Sequence, residues 1–405
     1  MLNYSKGVII VIILSLKCDN IFMFKDFFID FTYSRKLSHP LSEKDYLFPG
    51  SRINVRKRML ILGGNASGKT TFGKILCAIS NFIIGRTLVD EKLHLQKAIY
   101  ALKKESSFEI EFVMEDIAYR LKAVFNSKEL LRETLSVVKI HKSYNIKNLR
   151  RLLDTTADKF FYKKEGRSLR SNGELKPFFS KVLTNPSNKN IFEHISKNMG
   201  FHYMFSNFAE QSSESKINIP VKMFNDILPN IDNSVEKVLP ITTSDKKIKT
   251  NSYLISFKNG TNITIPDGDL MASNKDRLSH GTYEALKFLN IINEIKYRIK
   301  DIIFVDEKLA HLHVELEAYL IMKSFQLNRS SQIFFTSHNS ELLDLNLPNN
   351  SFILFKRNEN GYNEMVYVSD KVKKNDRRIR YLYENDFFGV LPDYSILDKY
   401  FGDIS

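Results

Sequence analysis

The feature that most restricts the fold of this chain is a glycine-rich loop between an apolar run and an amphipathic segment. Residues 59–62 form the apolar run and predict a short buried strand, and apolar residues recur at helical spacing over residues 72–83. Between the two lie Gly63, Gly64, Asn65, Ala66, Ser67, Gly68, Lys69, Thr70 and Thr71. We therefore expect a strand, a tight loop and a helix in that order.

The spacing within this loop predicts that it binds phosphate. It matches the pattern G-x-x-x-x-G-K-[ST] from Gly63 to Thr70. Backbone N–H groups that wrap phosphate oxygens need conformations that side chains disfavour, and the N-terminus of the next helix attracts the same anion. We expect Lys69 to reach the β- and γ-phosphates and the Thr70 hydroxyl to ligate Mg²⁺. An ordinary glycine turn is disfavoured by the Lys-Thr pair, so a nucleoside triphosphate is the expected ligand.

Charge and composition restrict the partners and the compartment. The chain of 405 residues carries a formal net charge of +14. This charge favours an anionic partner such as nucleic acid, although a well-solvated basic protein would have it too. Its two cysteines cannot build a disulfide framework or a zinc site, which suits a reducing cytoplasm. The apolar residues 8–16 are too few to cross a bilayer and predict a buried strand, so we expect no membrane association.

The order of the predicted elements indicates an α/β protein. Strands are predicted at residues 8–16, 21–33, 108–114, 117–125 and 129–138. Helices are predicted at residues 91–104 and 283–299, and a hairpin joins residues 253–257 and 261–265. Buried strands at residues 302–305 and 332–336 alternate with helices, which is typical of a largely parallel sheet.

The middle of the chain has a different composition. Residues 139–189 contain thirteen Lys or Arg and four Asp or Glu, with tyrosines and phenylalanines between them. Such a mixture suits nucleic acid, but a solvated helical face over a small core would look similar. Residues 191–239 are predicted to continue as short helices.

Acidic and imidazole side chains follow the two predicted buried strands. Asp306 and Glu307 end the strand at residues 302–305, and His338 follows the strand at residues 332–336. Ligands gather at the carboxyl ends of strands in α/β sheets. We expect Asp306 to bind Mg²⁺, Glu307 to polarise the attacking water, and His338 to hydrogen-bond the γ-phosphate or that water. An acidic pair after a strand is often only a solvated strand end, so each feature is weak by itself.

Together with the loop, these motifs resemble those of the soluble branch of the ATP-binding-cassette (ABC) superfamily. That branch includes the SMC and recombination-repair ATPases, the overcoming-lysogenization-defect ATPases, and the stand-alone ATPases of anti-phage systems such as Septu, PARIS and some retrons. The similar segments are residues 278–282 (LSHGT, the signature), 306–313 (DEKLAHLH, Walker B and D-loop), 335–344 (FTSHNSELLD, the switch histidine) and 381–392 (YLYENDFFGVLP, a closing motif).

The resemblance implies an α/β fold, an ABC-type P-loop ATPase core with a mixed sheet, flanking helices and an antiparallel β subdomain. Residues 1–138 and 251–405 would be the two parts of this domain, and residues 139–250 a mainly helical basic insertion. It also implies a head-to-tail homodimer, with two ATP molecules held between Lys69 of one subunit and Ser279 and Gly281 of the other. The implied activity is hydrolysis of ATP with Mg²⁺ as cofactor.

Three departures from the family pattern bear on the rate of hydrolysis. His280 replaces the glycine of transporters, His313 stands at the usual D-loop aspartate, and no Q-loop glutamine is evident because Gln96 falls in a predicted helix. Slow turnover, with ATP acting mainly to hold the dimer, is therefore one expectation. A metal site at His311 and His313 is disfavoured because no third ligand lies nearby in the sequence.

Two functions remain open on these grounds. The first is the regulatory ATPase of a bacterial anti-phage complex, which controls a separately encoded nuclease or toxin. The second is an SMC-like ATPase of DNA repair or chromosome maintenance that binds DNA directly. The absence of heptads long enough for a coiled coil favours the first.

Overall fold

The computed structural model describes residues 11–34, 39–85, 95, 98–101, 104–127, 129–156, 161–163, 170–171, 174–175, 193–205, 216–241, 252–269, 278, 280–297, 299–307, 309, 313–372 and 378–391. The chain divides into two compact units. Unit 1 comprises Met1–Gln211, Asp301–Asp306 and Ser330–Ser405, and unit 2 comprises Ser212–Lys300 and Glu307–Arg329. We describe each unit by itself.

The elements are numbered in chain order. The strands are β1 (Val11–Asp19), β2 (Phe27–Asp30), β3 (Thr32–Tyr33), β4 (Asn54–Val55), β5 (Arg58–Leu62), β6 (Ser106–Met114), β7 (Ile117–Phe125), β8 (Leu130–Lys139), β9 (Phe161–Lys163), β10 (Arg170–Ser171), β11 (Glu174–Leu175), β12 (Phe201–Phe205), β13 (Val235–Pro240), β14 (Tyr253–Phe257), β15 (Asn262–Ile265), β16 (Ile302–Asp306), β17 (Gln332–Ser337), β18 (Phe352–Arg357) and β19 (Asn363–Tyr367). The helices are α1 (Lys69–Gly85), α2 (Ile146–Thr156), α3 (Val221–Ile231), α4 (His280–Tyr297), α5 (Val314–Leu327), α6 (Val368–Lys371) and α7 (Ile379–Glu384), and residues 193–198 are also helical.

The central sheet of unit 1 has the strand order β12-β16-β17-β5-β18-β19. The first five strands run parallel, and β19 returns antiparallel to β18. Strands β5 and β16 are buried at every residue, as expected for parallel strands covered on both faces. Helix α1 packs on this sheet through Phe72, whose ring centroid lies 5.4 Å from that of Phe355 and 6.2 Å from that of Phe304.

A second sheet of unit 1 has the order β2-β1-β6-β7-β8-β9 and is antiparallel throughout. Helix α2 packs against β8 and buries Leu149 and Leu153. The short pair β3-β4 also belongs to unit 1. This sheet is the antiparallel β subdomain expected from the sequence.

A buried ion cluster joins α2 to the antiparallel sheet. Glu111, which is 2% exposed, accepts hydrogen bonds from Ser15 Oγ at 2.7 Å, Arg120 Nη2 at 2.6 Å and Arg150 Nε at 2.8 Å. Arg150 Nη1 also donates to Asp30 Oδ2 at 2.7 Å. Burial alone would raise the pKa of Glu111, but Arg150, Ser15 and Arg120 together hold it below its ordinary value. The carboxylate is therefore stabilised in its charged form.

A buried glutamine side chain joins the central sheet of unit 1 to the antiparallel sheet. Gln332, at the start of β17, is fully buried. Its Oε1 accepts the N–H of Ile13 at 2.8 Å, and its Nε2 donates to the carbonyl of the same residue at 2.8 Å. The side-chain amide thus pairs with β1 as a neighbouring strand would.

Unit 2 contains a three-stranded antiparallel sheet, β13-β14-β15, and the helices α3, α4 and α5. Helix α3 packs on the sheet through Phe224, whose ring centroid lies 5.1 Å from that of Tyr253. Thr282, in the first turn of α4, donates a hydrogen bond to Asp232 at the end of α3. Among the described residues of the chain, no helix has the length and apolar character needed to span a membrane.

Most predicted elements are confirmed, including the mixed sheet, the strand-loop-helix of the glycine-rich segment, the strands at residues 108–114 and 117–125, and the hairpin of residues 253–257 and 261–265. The prediction of short helices at residues 191–239 is confirmed for residues 193–198 and for α3, and it is wrong for residues 201–205 and 235–240, which form the strands β12 and β13. Of the strand predicted at residues 21–33, only β2 and β3 form. The helix predicted at residues 91–104 lies largely outside the described residues. The predicted segments 1–138, 139–250 and 251–405 divide the chain by motif and composition, and they stay a prediction.

Candidate functional site

The glycine-rich loop connects β5 to α1 and requires glycine at two positions. Gly68 has a φ of +103°, and a Cβ there would lie 2.6 Å from the side-chain Cγ of Asn363. At Gly63 a Cβ would lie 2.3 Å from the carbonyl oxygen of Phe355. A side chain at either position would force the loop away from β18 and β19. The pattern in the sequence therefore has a steric cause in this fold.

Lys69 begins α1 and is held inside the loop. Its side chain is 4% exposed, and Nζ donates to the carbonyl oxygens of Gly63 at 2.8 Å and Gly64 at 3.1 Å. The neighbouring Ser67 is 5% exposed, and its Oγ has no hydrogen-bond partner among the described residues. An ammonium group and a buried hydroxyl therefore lie together in a loop rich in backbone N–H groups. These are the donors that phosphate oxygens require.

A fully buried carboxylate lies beside the start of α1. Thr70 Oγ1 donates to Asp306 Oδ1 at 3.0 Å and to Asp306 Oδ2 at 2.8 Å. Thr336 Oγ1 donates to Asp306 Oδ1 at 2.7 Å. Burial lowers the pKa of Lys74 on α1, and the nearby carboxylate of Asp306 opposes that shift. The site thus contains a buried carboxyl group that is oriented by two hydroxyl groups.

The parallel register explains this cluster. Asp306 on β16 pairs with Thr336 on β17, and Thr336 in turn pairs with Ile61 on β5. The ends of three adjacent strands therefore lie at the edge of the sheet from which the loop leaves. The sequence predicted that Asp306 and Thr70 would meet there, and the structure brings them together.

These residues fit a nucleoside triphosphate with Mg²⁺. The loop offers donors and lacks side chains where the backbone must approach, and the hydroxyl of Ser67 is unsatisfied within the described part of the chain. Carboxylate and hydroxyl oxygens such as those of Asp306 and Thr70 are the ligands that Mg²⁺ prefers in proteins.

Three more of the predicted site residues, Glu307, His338 and Gly281, lie within the described part of the chain. Glu307 follows Asp306 directly, is half-buried and has a φ of 49°, but it belongs to unit 2. His338 follows β17 and is exposed. Gly281 lies in the first turn of α4 in unit 2, and Ser279 lies outside the described residues. Their predicted roles stay predictions.

No cluster of three or more His, Cys, Asp or Glu side chains that could hold a metal ion occurs within the described part of the chain. Of the two histidines weighed as a metal site, His313 is described and exposed, whereas His311 lies outside the described residues.

Thr336 was missed in the sequence. A sequence feature could have indicated it. Thr336 is the next-to-last residue of the buried strand β17, and it pairs with Asp306, the last residue of the buried strand β16. Because neighbouring parallel strands end together, a hydroxyl at this position can reach the carboxylate. To predict this contact one must know that β16 and β17 are neighbours in the sheet, and the sequence alone did not specify this pairing.

The loop, its lysine and the buried aspartate on a largely parallel sheet define a P-loop nucleotide-binding protein. A family model described as "AAA domain, putative AbiEii toxin, Type IV TA system" matches residues 58–344, more than half of the chain. The chain therefore belongs to this family, and it is a P-loop ATPase. No curated protein matches the sequence.

Solved structures of low identity also align with most of the chain. The SMC head domain from Thermotoga maritima is 12% identical, with 88% of this chain and 98% of that chain covered and a TM-score of 0.38. A second structure is an Smc head domain with an extended coiled coil, bound to the C-terminal domain of ScpA derived from Pyrococcus furiosus. It is 11% identical, with 90% of this chain and 98% of that chain covered and a TM-score of 0.45. The recombination mediator protein RecF with ATP is 12% identical, with 88% of this chain and 100% of that chain covered and a TM-score of 0.40.

Proposed function

We propose that this ATPase is the regulatory subunit of a bacterial anti-phage defence complex and controls a separately encoded nuclease or toxin in the cytoplasm. The observation that carries the proposal is the assembly of Lys69, Thr70 and Asp306 in a family whose description names a toxin of a Type IV toxin–antitoxin system. A nucleotide-binding loop with a buried aspartate beside it supports a protein that senses or switches. The proposal places the effector on a separate chain.

The proposed chemistry begins with binding of the triphosphate. Backbone N–H groups of residues 63–71 and the ammonium of Lys69 would hold the phosphates, and Thr70 and Asp306 would hold Mg²⁺. The bound cation supplies neutralisation of the charge that develops on the phosphate oxygens. Thr336 keeps Asp306 oriented for this task.

In the proposed hydrolysis, Glu307 accepts a hydrogen bond from the attacking water and orients it. His338 hydrogen-bonds the γ-phosphate or the same water. Ser279 and Gly281 of the partner subunit complete the site in a head-to-tail dimer. The N-terminus of α4 supports this role, because a helix N-terminus without a phosphate-binding loop of its own can take phosphate from another subunit.

A phage challenge tests the proposal. Cells that carry the gene and its neighbours are infected, and plaque formation is compared between wild type, Lys69→Ala and Lys323→Ala, the last an exposed control on α5. We expect protection in wild type and in Lys323→Ala and its loss in Lys69→Ala and on deletion of a neighbouring nuclease or toxin gene. Protection that survives both changes contradicts the proposal. A requirement for the gene in DNA repair without any phage phenotype would favour the SMC-like alternative.

A further inference from the structure

Two tyrosines of unit 1 form a corner that the site described above does not use. The rings of Tyr100 and Tyr362 have centroids 6.4 Å apart, and their planes meet at 79°. Tyr100 is 53% exposed, and Tyr362 is half-buried. Lys25 Nζ lies 5.2 Å from the ring centroid of Tyr362. We call these three residues the aromatic corner.

Asn363 places the aromatic corner beside the phosphate-binding loop. It follows Tyr362 directly and is 3% exposed, and a Cβ at Gly68 would lie 2.6 Å from its side-chain Cγ and 2.7 Å from its Nδ2. Because consecutive Cα atoms are about 3.8 Å apart, the backbone of Tyr362 lies within roughly 10 Å of Gly68. The base of a nucleotide is separated from its β-phosphate by a ribose and one phosphate group. A nucleotide with its phosphates in the loop can therefore place its base at the corner.

Hydrogen bonds join the three chain segments that build the aromatic corner. Asn363 N–H donates to the carbonyl of Met23 at 2.8 Å, which joins the start of β19 to the turn between β1 and β2. Tyr100 N–H donates to the carbonyl of Asn20 at 3.3 Å, and Ala101 N–H donates to Asn20 Oδ1 at 2.9 Å. The corner is thus held in place by the backbone of all three segments, which are far apart in the sequence.

The turn that contributes Lys25 has an unusual backbone. Asn20, Phe22 and Asp26 have φ values of 55°, 48° and 48°. Asparagine and aspartate tolerate this left-handed region, but a residue as bulky as phenylalanine rarely adopts it. Such conformations persist where the surrounding structure enforces them, and they cluster at ligand sites. The turn therefore has the backbone character of a segment that contacts a ligand.

Stacking rather than charge is the interaction that the aromatic corner offers. Exposed charges of both signs stand next to it in the sequence, as in the neighbouring pairs Lys25 and Asp26, and Lys104 and Glu105. Two rings at nearly a right angle allow a planar group to stack on one ring and to meet the edge of the other. Nucleobases stack on aromatic side chains in this way, because every base has a π-face.

We propose that the aromatic corner binds the base of the nucleotide whose phosphates lie in the loop. The base stacks on one of the two tyrosine rings and contacts the edge of the other, and Lys25 keeps Tyr362 in position. Tyr100 and Tyr362 are then specificity-determining residues: the larger purine bases bury more surface against the rings than pyrimidines do. The proposal rests on nucleotide binding by the loop and requires no role in defence.

A comparison of ATP with inorganic tripolyphosphate tests this assignment, because tripolyphosphate has the phosphates and lacks the base. In isothermal titration with Mg²⁺, Tyr100→Leu and Tyr362→Leu should each weaken the Kd for ATP about fivefold or more, the usual size for loss of a base–aromatic stack. Both variants should bind tripolyphosphate as wild type does. Tyr100→Phe and Tyr362→Phe keep the rings and should keep the affinity for ATP. ATP and GTP should bind wild type more tightly than CTP and UTP.

A fluorescent reporter tests the contact directly. The chain contains no tryptophan, so Tyr100→Trp introduces a single one into the aromatic corner. ATP should quench its emission, and tripolyphosphate should not. Tyr319→Trp is the matched control, because Tyr319 on α5 is 57% exposed and its ring centroid lies 5.4 Å from Lys323 Nζ. Its emission should respond to neither ligand.

Several results would overturn the assignment. They are equal ATP affinity in wild type and both leucine variants, a preference for purines that survives in both, and wild type that binds tripolyphosphate as tightly as ATP. Leucine variants that lose tripolyphosphate and ATP alike would show a structural role instead, and equal quenching in Tyr319→Trp would show collision with unbound nucleotide. The phage challenge does not enter these titrations, so the two proposals fail independently.

Discussion

The hydroxyl of Thr336 offers a sharp test of how the buried aspartate is used. Thr336→Val removes the donor that lies 2.7 Å from Asp306 Oδ1 and keeps a β-branched side chain in β17. A hydrogen bond to a buried charged group contributes roughly 1.5–3 kcal/mol. Because Thr70 still donates to both oxygens of Asp306, the carboxylate loses orientation rather than all its partners.

We expect Thr336→Val to bind Mg²⁺ more weakly. Removing a residue that orients a metal ligand lowers the metal affinity about 10–100-fold. The hydrogen-bond energy given above predicts a similar loss, because about 1.4 kcal/mol corresponds to a factor of ten in affinity. ATP turnover measured across a Mg²⁺ titration should show the half-saturating concentration raised by that factor. The maximal rate should be largely recovered at high Mg²⁺.

Thr336→Ser is the matched control, because it keeps the hydroxyl and removes only a methyl group. It should behave as wild type in the Mg²⁺ titration. Thermal unfolding of both variants shows whether the sheet is intact. A folded Thr336→Val protein with the Mg²⁺ dependence of wild type would refute the reasoning, since the hydroxyl would then have no part in presenting Asp306.

Three further changes test the rest of unit 1 and the dimer. Lys69→Ala should abolish ATP binding in isothermal titration, because it removes the ammonium held in the loop; unchanged affinity would mean that the loop binds something else. Glu307→Gln should bind ATP without turnover and remain a dimer in sedimentation with ATP, and a monomer there would contradict the shared site. Arg150→Glu should cost about 3–5 kcal/mol of unfolding free energy, because it takes the Arg150 partner from the buried Glu111 and puts a second carboxylate beside it. Arg151→Glu, on the exposed face of α2, should change it by about 0.5 kcal/mol or less, and equal losses would argue against the cluster.

The parts predicted correctly from the sequence are those with local signals. A strand, a glycine-rich loop and a helix are adjacent in the chain, and the spacing of Gly63, Gly68 and Lys69 restricts what the loop can do. Asp306 could be placed beside this loop because the carboxyl ends of parallel strands meet at one edge. That inference does not depend on the order of the strands in the sheet.

The errors come from contacts between distant residues. Strand β12 has five residues, mostly aromatic, and is too short to distinguish from a helix by periodicity. Its partner β16 begins about a hundred residues later. Arg150 was counted with the basic residues of the middle segment, whose composition suits nucleic acid. It instead pairs with Glu111 and Asp30. Composition cannot distinguish an exposed arginine from an arginine that forms ion pairs with carboxylates in the folded protein.

The amide of Gln332 has a mechanical consequence. Because it pairs with both backbone groups of Ile13, the antiparallel sheet is fastened to the same strand that ends in Thr336 and leads to His338. A displacement of β17 by even a fraction of a hydrogen-bond length would be passed to β1, since neither bond can stretch far before it breaks. If His338 contacts the γ-phosphate as proposed, a shift of β17 caused by that contact would reach β1 and its neighbouring strands. Glutamate at this position could not transmit it, because a carboxylate has no N–H to donate to the carbonyl of Ile13.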